Sequence, residues 1–229
     1  MKKDHDNYQW AALFDWDGVI VDSVKQHEQS WRMLAAEQHK EVKQDFMNKT
    51  FGMKNEKIIS EFLGWSQNPK EITQLSKRKE ELYKKIVQEE GLCLTYGVKE
   101  FLDRLKQKHI PMAICSSTTK TNIFFVLEKL GIKEYFPVIV GAEDVREGKP
   151  HPAPYLLTAQ KLGYVPSRCV VFEDAPAGVE SAKKAGMKVI ALTTTRPKNN
   201  LENADLVISS WKDLSLETID VLFNDVSQQ

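Results

Sequence analysis

The chain has 229 residues, which suits one large domain or one domain with an insertion and buries roughly 70% of the unfolded surface without staples. Thirty-two Lys and Arg balance thirty-two Asp and Glu, which excludes the charge footprint of a protein for nucleic acid or acidic membranes. The polar start (Met1–Tyr8), the lack of any run of about 18 apolar residues and three cysteines without CxxC spacing (Cys93, Cys115, Cys169) lead us to expect a soluble cytoplasmic protein with free thiols.

The first predicted element is a buried strand, Ala11–Phe14. Asp15 and Asp17 emerge where it ends, and Gly18 turns the backbone away. Residues two apart in an extended segment point the same way, so both carboxylates face one small volume. Like charges that close need a cation or a shared proton, and a divalent metal is the simplest choice. Helical periodicity follows: Val24, His27, Glu28, Trp31, Leu34 and Ala35 on one face, then helices over Asn55–Leu63, Pro69–Gln74 and Leu75–Gln88. The Lys/Glu-rich stretch Lys77–Lys85 is mixed in sign and reads as a solvated helix face. No strand is expected between Lys25 and Glu90, so 25–90 is a helical insertion and residues 1–24 and 91–229 form the rest.

From Gly91 onward helices and apolar strands alternate. Helices are expected at Val98–Lys108, Thr121–Leu130, Pro154–Leu162 and Gly178–Ala185. Strands are expected at Met112–Cys115, Val138–Val140, Cys169–Phe172, Val189–Leu192 and Leu206–Ile208. That alternation implies an α/β fold, a Rossmann-like three-layer α/β/α core with a parallel sheet. Ligands bind such sheets beyond the strand C-termini, where the strand order switches.

Three further polar clusters lie at those ends. Ser116-Ser117-Thr118-Thr119 offers hydroxyl and backbone donors to a phosphate, or simply caps the next helix. Gly148-Lys149-Pro150-His151-Pro152 presents the Lys149 ammonium on a stiffened loop, with His151 read as a loop residue. Glu173-Asp174 adds two carboxylates; oxygen-rich ligands without paired His or Cys favour Mg²⁺ over zinc.

Asp15-Trp16-Asp17-Gly18 with Val19-Ile20-Val21-Asp22-Ser23, Ser116, Lys149-Pro150 and Glu173-Asp174 resemble, in order, the four motifs of the haloacid-dehalogenase-like phosphotransferase superfamily. The continuation after Gly18 is similar to its β-phosphoglucomutase-like and small-metabolite phosphatase subgroup, which carries an early helical cap. The third motif departs at Ala153, where an Asp is usual; that Asp reads as a helix cap whose loss costs ~1 kcal/mol and no chemistry.

The resemblance implies that Asp15 is the nucleophile, Asp17 the general acid and base, and Ser116, Ser117 and Lys149 the phosphate holders. It implies Mg²⁺ on Asp15, the Asp17 backbone carbonyl, Asp174 and Glu173, the last directly or through water. In the cap, His27 stands where the mutases carry a His that contacts their sugar phosphate and Lys79 falls near a cap lysine of the mutases, or both are ordinary helix residues. Asn55 stands where the mutases carry an Arg for a second phosphate, and an amide does not replace that fork.

The expected function is a Mg²⁺-dependent phosphatase of a sugar or polyol phosphate, acting through an aspartyl phosphate. β-Phosphoglucomutase is the alternative and a non-catalytic binding module the remote one. The expected partner is a small phosphorylated metabolite, without nucleic acid or membrane, for a monomer or weak dimer. Trp16 and Trp31 are expected to be buried packing residues.

Overall fold

The computed structural model describes residues 10–224, so the Met1–Tyr8 segment lies outside the described residues. The first apolar run is strand β1 (Ala11–Phe14), buried throughout. After it come β2 (Val21–Asp22), α1 (Val24–Glu37), α2 (Phe46–Thr50), α3 (Asn55–Lys57), which continues as a π-helical turn to Phe62, and α4 (Pro69–Glu90). The chain then runs through β3 (Cys93–Leu94), α5 (Val98–Gln107), β4 (Met112–Cys115), α6 (Lys120–Leu130), β5 (Val138–Val140) and α7 (Ala153–Leu162). It finishes with β6 (Cys169–Glu173), α8 (Pro176–Lys184), β7 (Lys188–Leu192), β8 (Leu206–Ile208) and α9 (Leu216–Asn224).

Six strands form one parallel sheet in the order β5-β4-β1-β6-β7-β8. From β1 the chain builds outward to β4 and β5 on one side, then returns to add β6, β7 and β8 on the other. The order therefore reverses beside β1, and the crevice at its C-terminal end is where a parallel sheet leaves room for a ligand. Alternation along β1 sends Ala12 and Phe14 to one face and Ala11 and Leu13 to the other. The first face is covered by α5, α6 and α9 and holds the aromatic heart, where Phe14 stacks on Phe172 at 4.7 Å between centroids and Phe101 stacks on Trp211 at 4.9 Å. The second face is covered by α7 and α8 through Tyr155, Ala159, Val179 and Ala182.

A third apolar cluster belongs to the helices between Val24 and Glu90: Trp31, Leu34, Phe46, Phe51, Ile58, Leu75 and Leu82 pack together. The chain enters and leaves this segment through the antiparallel pair β2 and β3, with Val21 opposite Leu94 and Asp22 opposite Cys93.

Four expectations change. The helices expected at Pro69–Gln74 and Leu75–Gln88 are one helix, α4: Asn68 caps it by accepting from the Lys70 N–H at 3.0 Å, Pro69 opens it, and no Gly or Pro interrupts it before Gly91. The five-residue α2 and the C-terminal α9 were not expected, and neither was the β2–β3 pair. Five-residue and two-residue elements show too little period to be read, and α9 is fixed by distant contacts: Trp10 stacks on Phe223 and donates to Asp220 at 2.7 Å. Ala153 is the first helical residue of α7 and not its cap. The ring of His151 takes the capping role, accepting from the Ala153 N–H at 3.2 Å.

Candidate active site

Three strand ends converge beside the switch point. β1 delivers Asp15, whose N–H donates to the Phe172 carbonyl, and a tight turn then places Asp17 against the same volume. Gly18 makes the turn possible: its φ is +79°, and a Cβ there would collide with the Asp174 carboxylate. β4 delivers Ser116, and β6 delivers Glu173 and Asp174. One carboxylate oxygen each from Asp15, Glu173 and Asp174 lie within 4.8 Å of one another, all buried.

Lys149 reaches into this cluster from its loop. Its ammonium donates to Asp15 and Glu173, both at 2.7 Å, and to the Cys115 carbonyl at 3.0 Å. Burial opposes its charge, but Asp15 and Glu173 outweigh that, so the lysine is held charged well above its ordinary range. Tyr155 donates to Glu173 at 2.6 Å, and the Asp174 and Ala175 N–H groups donate to the other Glu173 oxygen. Glu173 thus anchors Lys149 with both oxygens engaged.

The balance of charge is short of a cation. Burial pushes the Asp15 carboxyl up to about 7; Lys149 opposes the rise, while Glu173 and Asp17 add to it. Asp174 is raised well above the usual carboxylate range by burial, with Glu173 and Asp15 adding repulsion. Three buried carboxylates against one ammonium form an all-oxygen donor set with a deficit of positive charge, which fits a hard divalent cation. The Asp17 carboxylate does not belong to this set.

Asp17 is occupied elsewhere. One oxygen accepts from Ser23 at 2.6 Å and contacts His27 Nε2 at 3.0 Å; the other accepts from Thr118 at 2.7 Å. Burial alone would raise its pKa, yet the charge and hydrogen bond of His27, with those of Ser23 and Thr118, hold it at about 2. Behind His27, its Nδ1 lies 2.7 Å from the ammonium of Lys79, which also sits over the Trp31 and Tyr83 rings.

Lys79 is 1% exposed, so the solvated-face reading of Lys77–Lys85 fails at this position. Lys77, Arg78, Glu81 and Lys85 face solvent, while Lys79 and Glu80 turn inward. The missed signal is the apolar row of α4, since Lys79 lies four residues from both Leu75 and Tyr83 on the side that packs. Trp16 and Trp31 are buried, as expected.

Asp15, Asp17, His27, Asn55, Lys79, Ser116 and Ser117 all border one cavity of about 40 Å³, partly open to solvent, between the sheet end and the helices; a cavity of about 240 Å³ lined by Lys149 and Glu173 adjoins it at Asp15. Ser116 is buried and its hydroxyl accepts from the Thr118 N–H at 2.9 Å; Asn55 donates to Glu80 at 2.7 Å. Sequence reasoning missed Thr118 as a partner of Asp17, although it lies in the hydroxyl run read as a phosphate loop. It also missed Tyr155, Glu80 and Thr195, whose hydroxyl donates to Asp174. The run Thr193-Thr194-Thr195 past the end of β7 was a legible signal, since Thr194 also ties down the Gly18 carbonyl at 2.6 Å.

A family model described as haloacid dehalogenase-like hydrolase matches residues 12–192. The chain is 37% identical over 209 residues to the chloroplastic 5-amino-6-(5-phospho-D-ribitylamino)uracil phosphatase of Arabidopsis thaliana; the match covers 90% of this chain and 56% of that protein, so the chain spans little more than half the relative's length. It is 33% identical over 180 residues to the phosphorylated carbohydrates phosphatase of Thermotoga maritima, covering 79% of this chain and 83% of that one. Among solved structures, a β-phosphoglucomutase from Clostridium difficile matches with a TM-score of 0.84 at 28% identity, over 96% of this chain and 99% of that chain.

Proposed function

The chain belongs to the haloacid dehalogenase-like hydrolase family, and from that premise we propose that it is a Mg²⁺-dependent phosphatase of a sugar or polyol phosphate. The observation that carries this reading is the buried set of Asp15, Glu173 and Asp174 with Lys149 in its midst, at the switch point of a parallel sheet.

Asp15, Asp174 and the Asp17 backbone carbonyl would hold Mg²⁺, with Glu173 behind Lys149 and within reach through water. Bound there, Mg²⁺ supplies the charge that lets an anionic nucleophile approach an anionic phosphate. Asp15 attacks phosphorus and carries the phosphoryl group as an aspartyl phosphate. Ser116, Ser117 and Lys149 hold the equatorial oxygens, and Lys149 neutralises charge that spreads onto them.

Asp17 gives a proton to the leaving alkoxide and then takes one from water. With its pKa at about 2, Asp17 is a base in the free site; a phosphate dianion beside it disfavours the carboxylate and raises the pKa toward that of an acid. The helical segment between Val24 and Glu90 acts as a cap over the cavity. The cavity beneath it is partly open to solvent, and we expect the cap to move as substrate loads.

The names of two relatives, phosphatases of a ribitylamino phosphate and of phosphorylated carbohydrates, support the polyol or sugar class. The mutase reading draws on the likeness to β-phosphoglucomutase. Phosphate release from a panel of sugar and polyol phosphates, set beside conversion of β-glucose 1-phosphate to glucose 6-phosphate, separates the two.

We expect release to require Mg²⁺, and Asp15→Asn to lower kcat by about 10⁴-fold or more. Because burial already disfavours the Asp15 carboxylate, the neutral Asn should leave thermal stability equal or higher. An Asp15→Asn enzyme with near-normal turnover overturns the nucleophile assignment.

A further inference from the structure

Glu80 is the one acidic side chain that the cap brings to the cavity wall; Asp15 and Asp17 come from the sheet end. Its side chain is 14% exposed and fully engaged. One oxygen accepts from Lys79 at 3.0 Å and from Asn55 at 2.7 Å; the other accepts from Asn122, which belongs to α6. Burial raises the Glu80 carboxyl, but Lys79, His27 and Asn55 outweigh it and keep it below its ordinary value, so it is ionised at neutral pH. Beside it the buried amide oxygen of Asn122 has no partner.

The cations nearby are all committed. Lys79 is shared between Glu80 and His27, and Lys149 between Asp15 and Glu173. Lys54 donates to the carbonyls of Ala142 and Val145, both at 2.9 Å. Among the described residues lining this cavity, Lys79 is the one lysine or arginine, and it is already paired with Glu80.

We propose that Glu80 determines specificity, accepting hydrogen bonds from the hydroxyls of an uncharged substrate tail and repelling a second phosphate. The inference rests on the phosphatase reading and narrows it to monophosphate esters of polyhydroxylated molecules. A substrate hydroxyl takes the place of the Asn122 amide on Glu80 when the cap closes. A second phosphate there meets the carboxylate in a water-poor pocket, where like charges are poorly screened.

The test compares kcat/KM for fructose 1-phosphate and fructose 1,6-bisphosphate, which share a carbon skeleton. The wild type should favour the monophosphate by about 30-fold or more. Glu80→Gln, with its fold checked by circular dichroism, should shrink that ratio by about tenfold, mainly through KM. Glu80→Asp, which keeps the charge, and Asn122→Ala, which removes only the partner on α6, should hold the ratio within about threefold of wild type.

A wild type that hydrolyses both esters equally well overturns the Glu80 assignment alone, and so does a Glu80→Gln enzyme with an unchanged ratio. A parallel loss on both substrates makes Glu80 a latch between cap and core and overturns the proposal too. A wild type that releases phosphate from no member of the panel overturns the phosphatase reading, and this inference with it.

Discussion

Gly178 is glycine because Glu173 fills the space where a side chain would begin; a Cβ at that position would overlap the carboxylate. Glu173 has no room to retreat, being fully buried between Lys149 and Tyr155. Gly178→Ala should therefore cost at least ~3 kcal/mol and lower the melting temperature clearly, which differential scanning calorimetry would read. An unshifted melting temperature would mean that Glu173 swings aside freely. Glu80 makes a second prediction through pH. Its folded pKa lies below the ordinary 4.5, so its contribution to stability is complete above that value and fades as pH falls through the depressed one. Glu80→Gln leaves Lys79 buried without its counter-charge and should cost about 3 kcal/mol near neutrality. Urea titrations at several pH values should find the gap between variant and wild type closing in acid, and a gap that stays constant there would contradict the ion pair.

At the scale of elements, α1 and α4 form the spine of the helical segment, with Trp31 and Leu34 on one and Leu75 and Leu82 on the other. Leu82 is 2% exposed, and Leu82→Ala should cost about 3 kcal/mol, the transfer loss plus the cavity left behind. Denaturant unfolding would check it; a cost below about 1 kcal/mol would mean that the helices collapse around the gap. The same helix carries Lys79 and Glu80 on the cavity wall, so it packs the helical segment and shapes the pocket at once. The short pair β2–β3 marks both ends of the helical segment, and Thr95 just beyond it donates to the Val19 carbonyl at 2.5 Å while accepting from Trp211 at 3.1 Å. The crossing points are thus tied to the aromatic heart of the sheet.

For the whole molecule, the cysteines report global opening. Cys93 is exposed, whereas Cys115 and Cys169 are buried in β4 and β6, on either side of β1, and burial pushes both thiols up to about 12. A thiol reagent at about pH 8 should modify Cys93 rapidly and the other two only on unfolding, because the thiolate is the reactive form. Mass spectrometry that found Cys115 or Cys169 modified in the folded protein would contradict this packing. No helix among the described residues is long and apolar enough to cross a membrane.

The sequence by itself determined the layered α/β architecture, because alternating apolar strands and amphipathic helices bury their faces in only a few ways. It also determined the order of the polar clusters, since Asp15, Ser116 and Glu173-Asp174 each stand at the end of a local apolar run and Lys149 stands in the Pro-flanked loop before α7. Only the tertiary structure decided which of those groups face one another. His27 and Asp17 are ten residues apart, yet the link that continues to Lys79 spans 52. Lys79 lies four residues from both Leu75 and Tyr83, on the buried row of α4, so the helical period marked its face while its partners came from distant parts of the chain. Glu80 and Asn122 meet across 42 residues for the same reason. Local pattern records the side a residue prefers; the partner on that side comes from another part of the chain.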